Sequence, residues 1–282
     1  MFFLLCYRFN IKIMLVFIFL SGTAIYSQDT SQIRSSITDD LLYDGKIFLE
    51  DAGSYFTLPL RFDTNDWLLT AGLAGSTLLL ISLDEEIKNK VGRNTISSFN
   101  DDFWDIGTSY GVVTYANLFS AGVYVTGLIS REDEIRVTGR LLLESLTYSG
   151  ITVMIARYIA GRVRPYYNEG EWAFKGFNID NEFQSFPSGH TVVAFALSTV
   201  LAERFDNIWA RIGFYGLASI TAFSRVYNNQ HFSSDVVIGG LLGLGTGLYV
   251  VNREAERYQA ENENIKVNFY PGPDRLSLQI SF

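Results

Sequence analysis

This 282-residue chain is poor in the side chains that usually announce chemistry, with two histidines and one cysteine. Cys6 stands in the extreme N-terminal segment, so a chain trimmed there has no thiol. Neither a disulfide nor a thiolate metal site can then be built, and cysteine says nothing about the redox compartment. Basic residues are outnumbered, 22 Lys and Arg against 30 Asp and Glu, for a net charge of −8. That balance argues against a general nucleic-acid-binding face. No internal repeat or low-complexity tract is present, which sets aside repeat architectures. What remains is length for one large domain or two small ones. Hydrophobic residues make up 48% and the mean hydropathy is +0.14, high for a soluble domain and low for a pure membrane bundle, so a mixed protein with polar extensions is expected.

The N-terminus reads as a signal peptide over residues 1–27. Arg8 and Lys12 are its basic start, Ile13 to Leu20 its apolar centre, and Ser21 to Ser27 its small, polar cleavage region. An uncleaved membrane anchor is the alternative; either way the chain is exported or inserted. Residues 28–66 form a polar N-terminal extension with short helices around Leu41 to Glu50. Six apolar segments follow in 67–251: Trp67 to Leu83, Tyr110 to Ser130, Arg140 to Ala160, Thr191 to Ala202, Ile208 to Phe223 and Val236 to Val251. Length and Ala, Leu and Gly content make each a helix rather than a strand. The last holds Gly239, Gly240, Gly243, Gly245 and Gly247, which permit close helix approach in a bilayer. Residues 252–282 are a C-terminal extension, with Ile265 to Tyr270 and Arg275 to Phe282 alternating around a Pro-Gly-Pro-Asp turn as a β-hairpin. The expected fold is all-α: a membrane-embedded bundle of about six core helices with that hairpin. A soluble bundle with a very apolar core stays open.

Three motifs concentrate the chemistry: Arg157-x6-Arg164-Pro165, Pro187-Ser188-Gly189-His190 and Ser224-Arg225-x5-His231-x3-Asp235. Seven residues separate Arg157 and Arg164, about two helical turns, so they can share a face; Pro165 then ends the helix. Arginine grips phosphate oxygens bidentately and keeps its charge. Pro187 and Ser188 suit the start of a helix, whose free N–H groups bind an anion, and Gly189 allows close approach. His231 and Asp235 stand four apart on one helix side. A carboxylate bound to one ring nitrogen leaves the other free to attack, and His190 can shuttle the proton. Each motif has a plainer reading: snorkelling arginines, an ordinary cap, a local hydrogen-bonded pair. Two histidines and an aspartate can also ligate zinc, although three arginines would repel the cation.

In order and spacing these motifs resemble the three-part signature of the type-2 phosphatidic acid phosphatases, a superfamily that includes bacterial class A acid phosphatases and vanadium haloperoxidases. The resemblance covers roughly residues 67–251. It departs at Arg157, where the family usually has Lys. It implies a helical bundle and phosphate-ester hydrolysis without metal or other cofactor. By position His231 is the implied nucleophile, Asp235 its orienting partner and His190 the general acid. Arg157, Arg164, Ser188, Gly189 and Arg225 are the implied phosphate cradle.

The function expected is an envelope phosphatase acting on phosphate monoesters or pyrophosphates of membrane lipids through a phosphohistidine. Its partners are a phosphorylated lipid and the bilayer, with no nucleic acid. Between the first two motifs, Tyr166, Tyr167, Trp172, Phe174, Phe177, Phe183 and Phe186 suit a bilayer interface or a lid over an acyl chain. Rivals are a secreted, soluble nonspecific acid phosphatase, a haloperoxidase and a non-catalytic binder of lipid phosphate. The positive-inside pattern mildly places the motifs outside the cytoplasm, whereas a cleaved signal followed by six spans places them inside.

Overall fold

Long apolar segments closed by glycine, proline and asparagine set the architecture. The computed structural model describes residues 36–91, 107–263, 266–271 and 276–281; the expected signal peptide lies outside them. Among the described residues seven long helices carry the fold: α1 (Ile37–Phe56), α2 (Thr64–Val91), α3 (Val113–Ser130), α4 (Asp133–Ala160), α5 (Gly189–Phe205), α6 (Ile208–Tyr227) and α7 (Ser233–Glu263). Each expected apolar segment lies largely within one of α2–α7, and most helices extend past it into polar turns. Local chemistry fixes the ends. Asp133 and Glu134 place negative charge in the first turn of α4, against the helix dipole. Gly161 ends α4 in the left-handed conformation at φ 57°, its N–H bonded to Arg157 O at 2.8 Å. A Cβ there would stand 2.5 Å from Gly176 N, so glycine is required for space as well as conformation. The Asn207 side chain caps α6 by accepting from Trp209 N and Ala210 N.

α5 is the axis. It packs on α7, α6 and α4, while α3 packs on α4 and α2 on α7. The α5–α7 approach is very close. A Cβ on Gly243 would lie 2.4 Å from Val192 O, and one on Gly247 2.6 Å from Thr199 Cβ. Gly245 meets nothing and Gly240 meets only the Phe195 ring, so two of the α7 glycines are not needed for contact. The core joins Leu141, Leu142 and Tyr148 of α4 to Leu197, Val200 and Leu201 of α5, Phe214 of α6 and Val250 of α7. Phe48, Ala52 and Tyr55 of α1 pack against it, so apolar residues from the segment read as a polar extension line the bundle.

At the end where α4 begins, buried ions fasten three helices. Asp44 of α1 meets Arg136 at 2.8 Å and Arg140 at 3.3 Å, and Arg140 also holds Glu144 at 2.9 Å and Glu254 at 2.6 Å. Asp51, fully buried, takes Arg257 at 2.8 Å. Removing one partner of such a pair strands a charge in the interior, at a cost of about 3–5 kcal/mol.

Elsewhere the apolar surface points outward. Ile81 and Asp84 are the buried residues of α2, while Leu68, Leu69 and Leu79 are exposed. Thr64–Val91 and Ser233–Ala260 are long and apolar enough to cross a bilayer, with mean hydropathies of 1.5 and 1.6 over their most apolar stretches. Each has 28 residues, about 42 Å of helix against a hydrocarbon core of about 30 Å. Exposed leucines over such a length call for lipid rather than water. Beyond α7, the backbone of Lys266–Pro271 pairs antiparallel with Leu276–Ser281, Lys266 opposite Ser281.

Candidate active site

The chain leaves α4 at Gly161, makes a long excursion and returns at Pro187 to start α5. Backbone bonds fold this excursion back on its own start: Val163 N to Ala173 O at 2.9 Å, Lys175 N to Gly161 O at 2.9 Å, and Ser185 N to Arg162 O at 3.1 Å. Ser188 is the buried N-cap of α5. Its N–H binds Asp235 O at 3.0 Å, which ties the start of α5 to the start of α7. Its hydroxyl accepts from Thr191 Oγ1 at 3.0 Å instead of capping the helix, so the first-turn N–H groups face the site without a side-chain cap.

Three arginines converge on this helix start. Arg157 Nε donates to Pro187 O at 3.0 Å, and a Cβ on Gly189 would lie 2.8 Å from Arg157 Nη2. Gly189 is thus where the guanidinium lies against the backbone. Arg164 binds Asn181 O through Nε at 2.9 Å and Asn181 Oδ1 through Nη2 at 3.1 Å. Arg225 is buried at the end of α6, and its Nε meets no acceptor among the described residues. Among the described residues carboxylates pair with Arg136, Arg140, Arg162, Arg204, Arg211, Arg253 and Arg257, whereas none of these three is so paired. Enclosed positive charge left without a protein counterion is a site for an anion from outside.

His231 is buried in the turn between α6 and α7. Its Nδ1 lies 2.7 Å from Ser185 O, a bond only an Nδ1–H can make, and this leaves Nε2 as the free nitrogen. Asp235 Oδ2 is 3.8 Å from Nδ1, beyond hydrogen-bond reach, and accepts instead from Ser185 Oγ at 2.5 Å and Phe232 N at 2.9 Å. The carboxylate therefore stands beside the imidazole, while the Ser185 carbonyl fixes the tautomer. His190 is the second residue of α5 and half-buried. The charges of Arg225, His231, Arg157 and Arg164 all bear on His190, Ser188 and Gly189 open the same helix, and Asp235 O accepts from Ser188 N.

The PAP2 superfamily model matches residues 138–258, from α4 to α7. These residues are similar to that superfamily. A lipid A 1-phosphatase of Porphyromonas gingivalis is 26% identical over 237 residues, 83% of this chain and 48% of that protein. A lipid A 1-phosphatase of Rhizobium johnstonii is 26% identical over 160 residues, 52% of this chain and 61% of that one. The chain thus spans about half the length of the first of these relatives and three-fifths of the second. The transmembrane PAP2-type phosphatidylglycerolphosphate phosphatase of Bacillus subtilis superposes with a TM-score of 0.51 at 21% identity, covering 66% of this chain and 96% of that one, a likeness of fold. Residues 259–282 lie outside the matched residues.

Within these matched residues both histidines are held neutral. Burial pushes His231 down to about 4, against the upward pull of Asp235. Burial also lowers His190 to about 3, helped by Arg225, His231, Arg157 and Arg164. Among the described residues no group of three or more His, Cys, Asp or Glu is placed to hold a metal. Around the mouth, Tyr166, Tyr167, Trp172 and Phe177 are exposed, and Lys88 of α2 donates to Asn168 Oδ1 at 3.0 Å.

Three residues of the site escape motif reading: Arg162, Asp84 and Ser185. Arg162 is fully buried and binds Asp235 at 2.6 Å and Asp84 at 2.9 Å. One signal was available, because a lone acid near the end of an apolar span, as Asp84 is, is expensive unless it has work to do.

Proposed function

We propose that this protein is a metal-independent phosphatase that removes phosphate from membrane lipids through a phosphohistidine, with the anomeric phosphate of a lipid A-type glycolipid as first candidate. The observation that carries the reading is the convergence of two buried arginines, Arg164 and Arg225, and the half-buried Arg157, free of carboxylate partners among the described residues, on a helix start beside a histidine with one free ring nitrogen. The relatives' names supply the substrate candidate. Phosphatidic acid, phosphatidylglycerol phosphate and polyprenyl pyrophosphate are its competitors.

The phosphate dianion takes the place between Arg157, Arg164 and Arg225, with the α5 N–H groups and the Ser188 hydroxyl completing the cradle. His231 Nε2 attacks phosphorus in line with the ester oxygen; a P–N bond forms and the P–O bond breaks. Nδ1–H keeps its bond to Ser185 O, and Asp235 balances the positive charge that grows on the ring. His190 gives its proton to the leaving oxygen, then takes one from the water that attacks phosphorus and releases His231. His190 is neutral in the empty site, so the incoming dianion must raise its proton affinity by offsetting the three arginines. The arginines supply the charge that a metal would otherwise bring.

The outward leucines of α2 favour a membrane-integral enzyme over a soluble acid phosphatase. In the same reading residues 1–27 direct export, and the site opens outside the cytoplasm, opposite the end that carries Arg131, Arg136, Arg204 and Arg211. The test is phosphate release by purified protein from 1-phosphorylated lipid A, the three competing lipids and p-nitrophenyl phosphate. Preference for a lipid supports the proposal. Release from the soluble ester alone favours the acid phosphatase, and release from none refutes the enzyme.

A further inference from the structure

Asp84 is the buried carboxylate of a helix that otherwise turns its surface outward. Its Oδ2 accepts from Arg162 Nη2 at 2.9 Å, and its Oδ1 accepts from Ser233 Oγ at 2.5 Å and Ser234 N at 2.9 Å. Ser234 Oγ also donates to Asp84. The acid is thus bound to the first turn of α7, one residue from Asp235.

Arg162 occupies the space between the two acids. Nη1 reaches Asp235 Oδ1 at 2.6 Å and Ser234 Oγ at 2.7 Å, while Nη2 and Nε reach Glu171 O at 2.6 and 3.1 Å. The guanidinium carbon stands 4.3 Å from the Phe232 ring centre. Arg162, Asp84 and Asp235 are all fully buried. Every fork position of the arginine is thereby used by protein, which separates it from Arg157, Arg164 and Arg225. It is not part of the anion cradle.

We propose that Arg162 and Asp84 are positioning residues, which act through Asp235 on His231 and couple the outward-facing helix α2 to the site. The inference rests on His231 as nucleophile with Asp235 as its electrostatic partner. Two acids share one arginine, so Asp235 keeps part of its negative charge for the imidazole. Without the charge of Asp84, Arg162 neutralises Asp235 alone. The carboxylate also loses the brace that holds the α7 turn at 2.6–2.9 Å spacing. The rate of phosphoryl transfer should fall, while phosphate binding, which uses other arginines, should not.

The experiment is a double-mutant cycle on the full chain in detergent, with 1-phosphorylated lipid A in mixed micelles. Asp84→Asn, Asp235→Asn and the double variant are compared by steady-state kinetics and by single turnovers with enzyme in excess. Asp84→Asn should lower kcat roughly tenfold, leave KM and vanadate inhibition within about twofold, and cost less than about twofold once Asp235 is already Asn, because coupled sites are not additive. Ser234→Ala, a milder cut in the same brace, should lose about threefold in kcat with the same loss of effect in the Asp235→Asn background. It reads the coupling even if Asp84→Asn does not fold. A full penalty that persists without Asp235, or a lower melting temperature with unchanged kcat, overturns the inference. Wild-type turnover by Asp235→Asn, or no phosphate release by the wild type from any of the four lipids or p-nitrophenyl phosphate, instead defeats the electrostatic partnership of Asp235 with His231 and this inference with it.

Discussion

Arg157 is the position where this chain departs from the lysine usual in the family it resembles, and its geometry predicts what each replacement does. Nε is committed to Pro187 O at 3.0 Å, and the far end of the fork lies against Gly189. One arginine therefore holds the turn that opens α5 and presents charge to the cradle. Truncation to alanine removes both. The lost charged contact in the transition state is worth ~3 kcal/mol, roughly a hundredfold in kcat/KM. The lost bond to the carbonyl adds about 1 kcal/mol in stability. Arg157→Lys keeps the charge and gives up the simultaneous grip on Pro187, so its activity should fall between the two. The assay is phosphate release across substrate concentrations, with vanadate inhibition and a melting curve for each variant. Equal kcat/KM and equal vanadate inhibition for Arg157→Ala and wild type would refute the reasoning and leave Arg157 as a helix-end contact.

Other outcomes follow from the same site. The acid limb of kcat/KM should fall as pH drops through about 4, because His231 must be neutral to attack; a pH–rate profile breaking near 6.5, the value of an unperturbed histidine, would contradict its burial. Stability shifts in the same sense: the unfolded chain takes up protons on both histidines below about 6.5 while the folded one does not, so melting temperature should decline from pH 6.5 toward 4. Activity should survive EDTA and be inhibited by vanadate; loss in chelator with recovery on adding Zn²⁺ would favour a metal site. Gly243→Ala should lower the melting temperature, since its Cβ would meet Val192 O at 2.4 Å and force apart two packed helices, an overpacking cost of roughly 1–3 kcal/mol; an unchanged melting curve would mean that the α5–α7 contact is looser than described.

How far the sequence spoke differs by level. Helices α2 to α7 were legible because uncharged runs and their glycine and proline stops are local signals. Their lengths were underestimated, as α7 runs on to Glu263 through Arg253, Glu254 and Arg257, charges that look solvated in sequence and are bound to Asp51 and Arg140 in the fold. The packing of Phe48 and Tyr55 into the core was invisible for the same reason, since long-range pairing has no local mark. At the site, the motif residues could be named because helix spacing pairs Arg157 with Arg164 and His231 with Asp235, and the resemblance to a three-part signature marks the rest. Arg162 could not, because its partners Asp84 and Asp235 lie 78 and 73 residues away. The bond from His231 Nδ1 to Ser185 O likewise uses a backbone carbonyl, which no choice of side chain advertises.

The most direct test of the central claim is the covalent intermediate itself. Protein mixed with 32P-labelled 1-phosphorylated lipid A and quenched in alkaline denaturant within a turnover should carry label that is stable to base, lost in acid and mapped to His231. Label should be absent from His231→Ala. Rapid hydrolysis with no phosphoryl-enzyme, or label on another residue, would contradict the account.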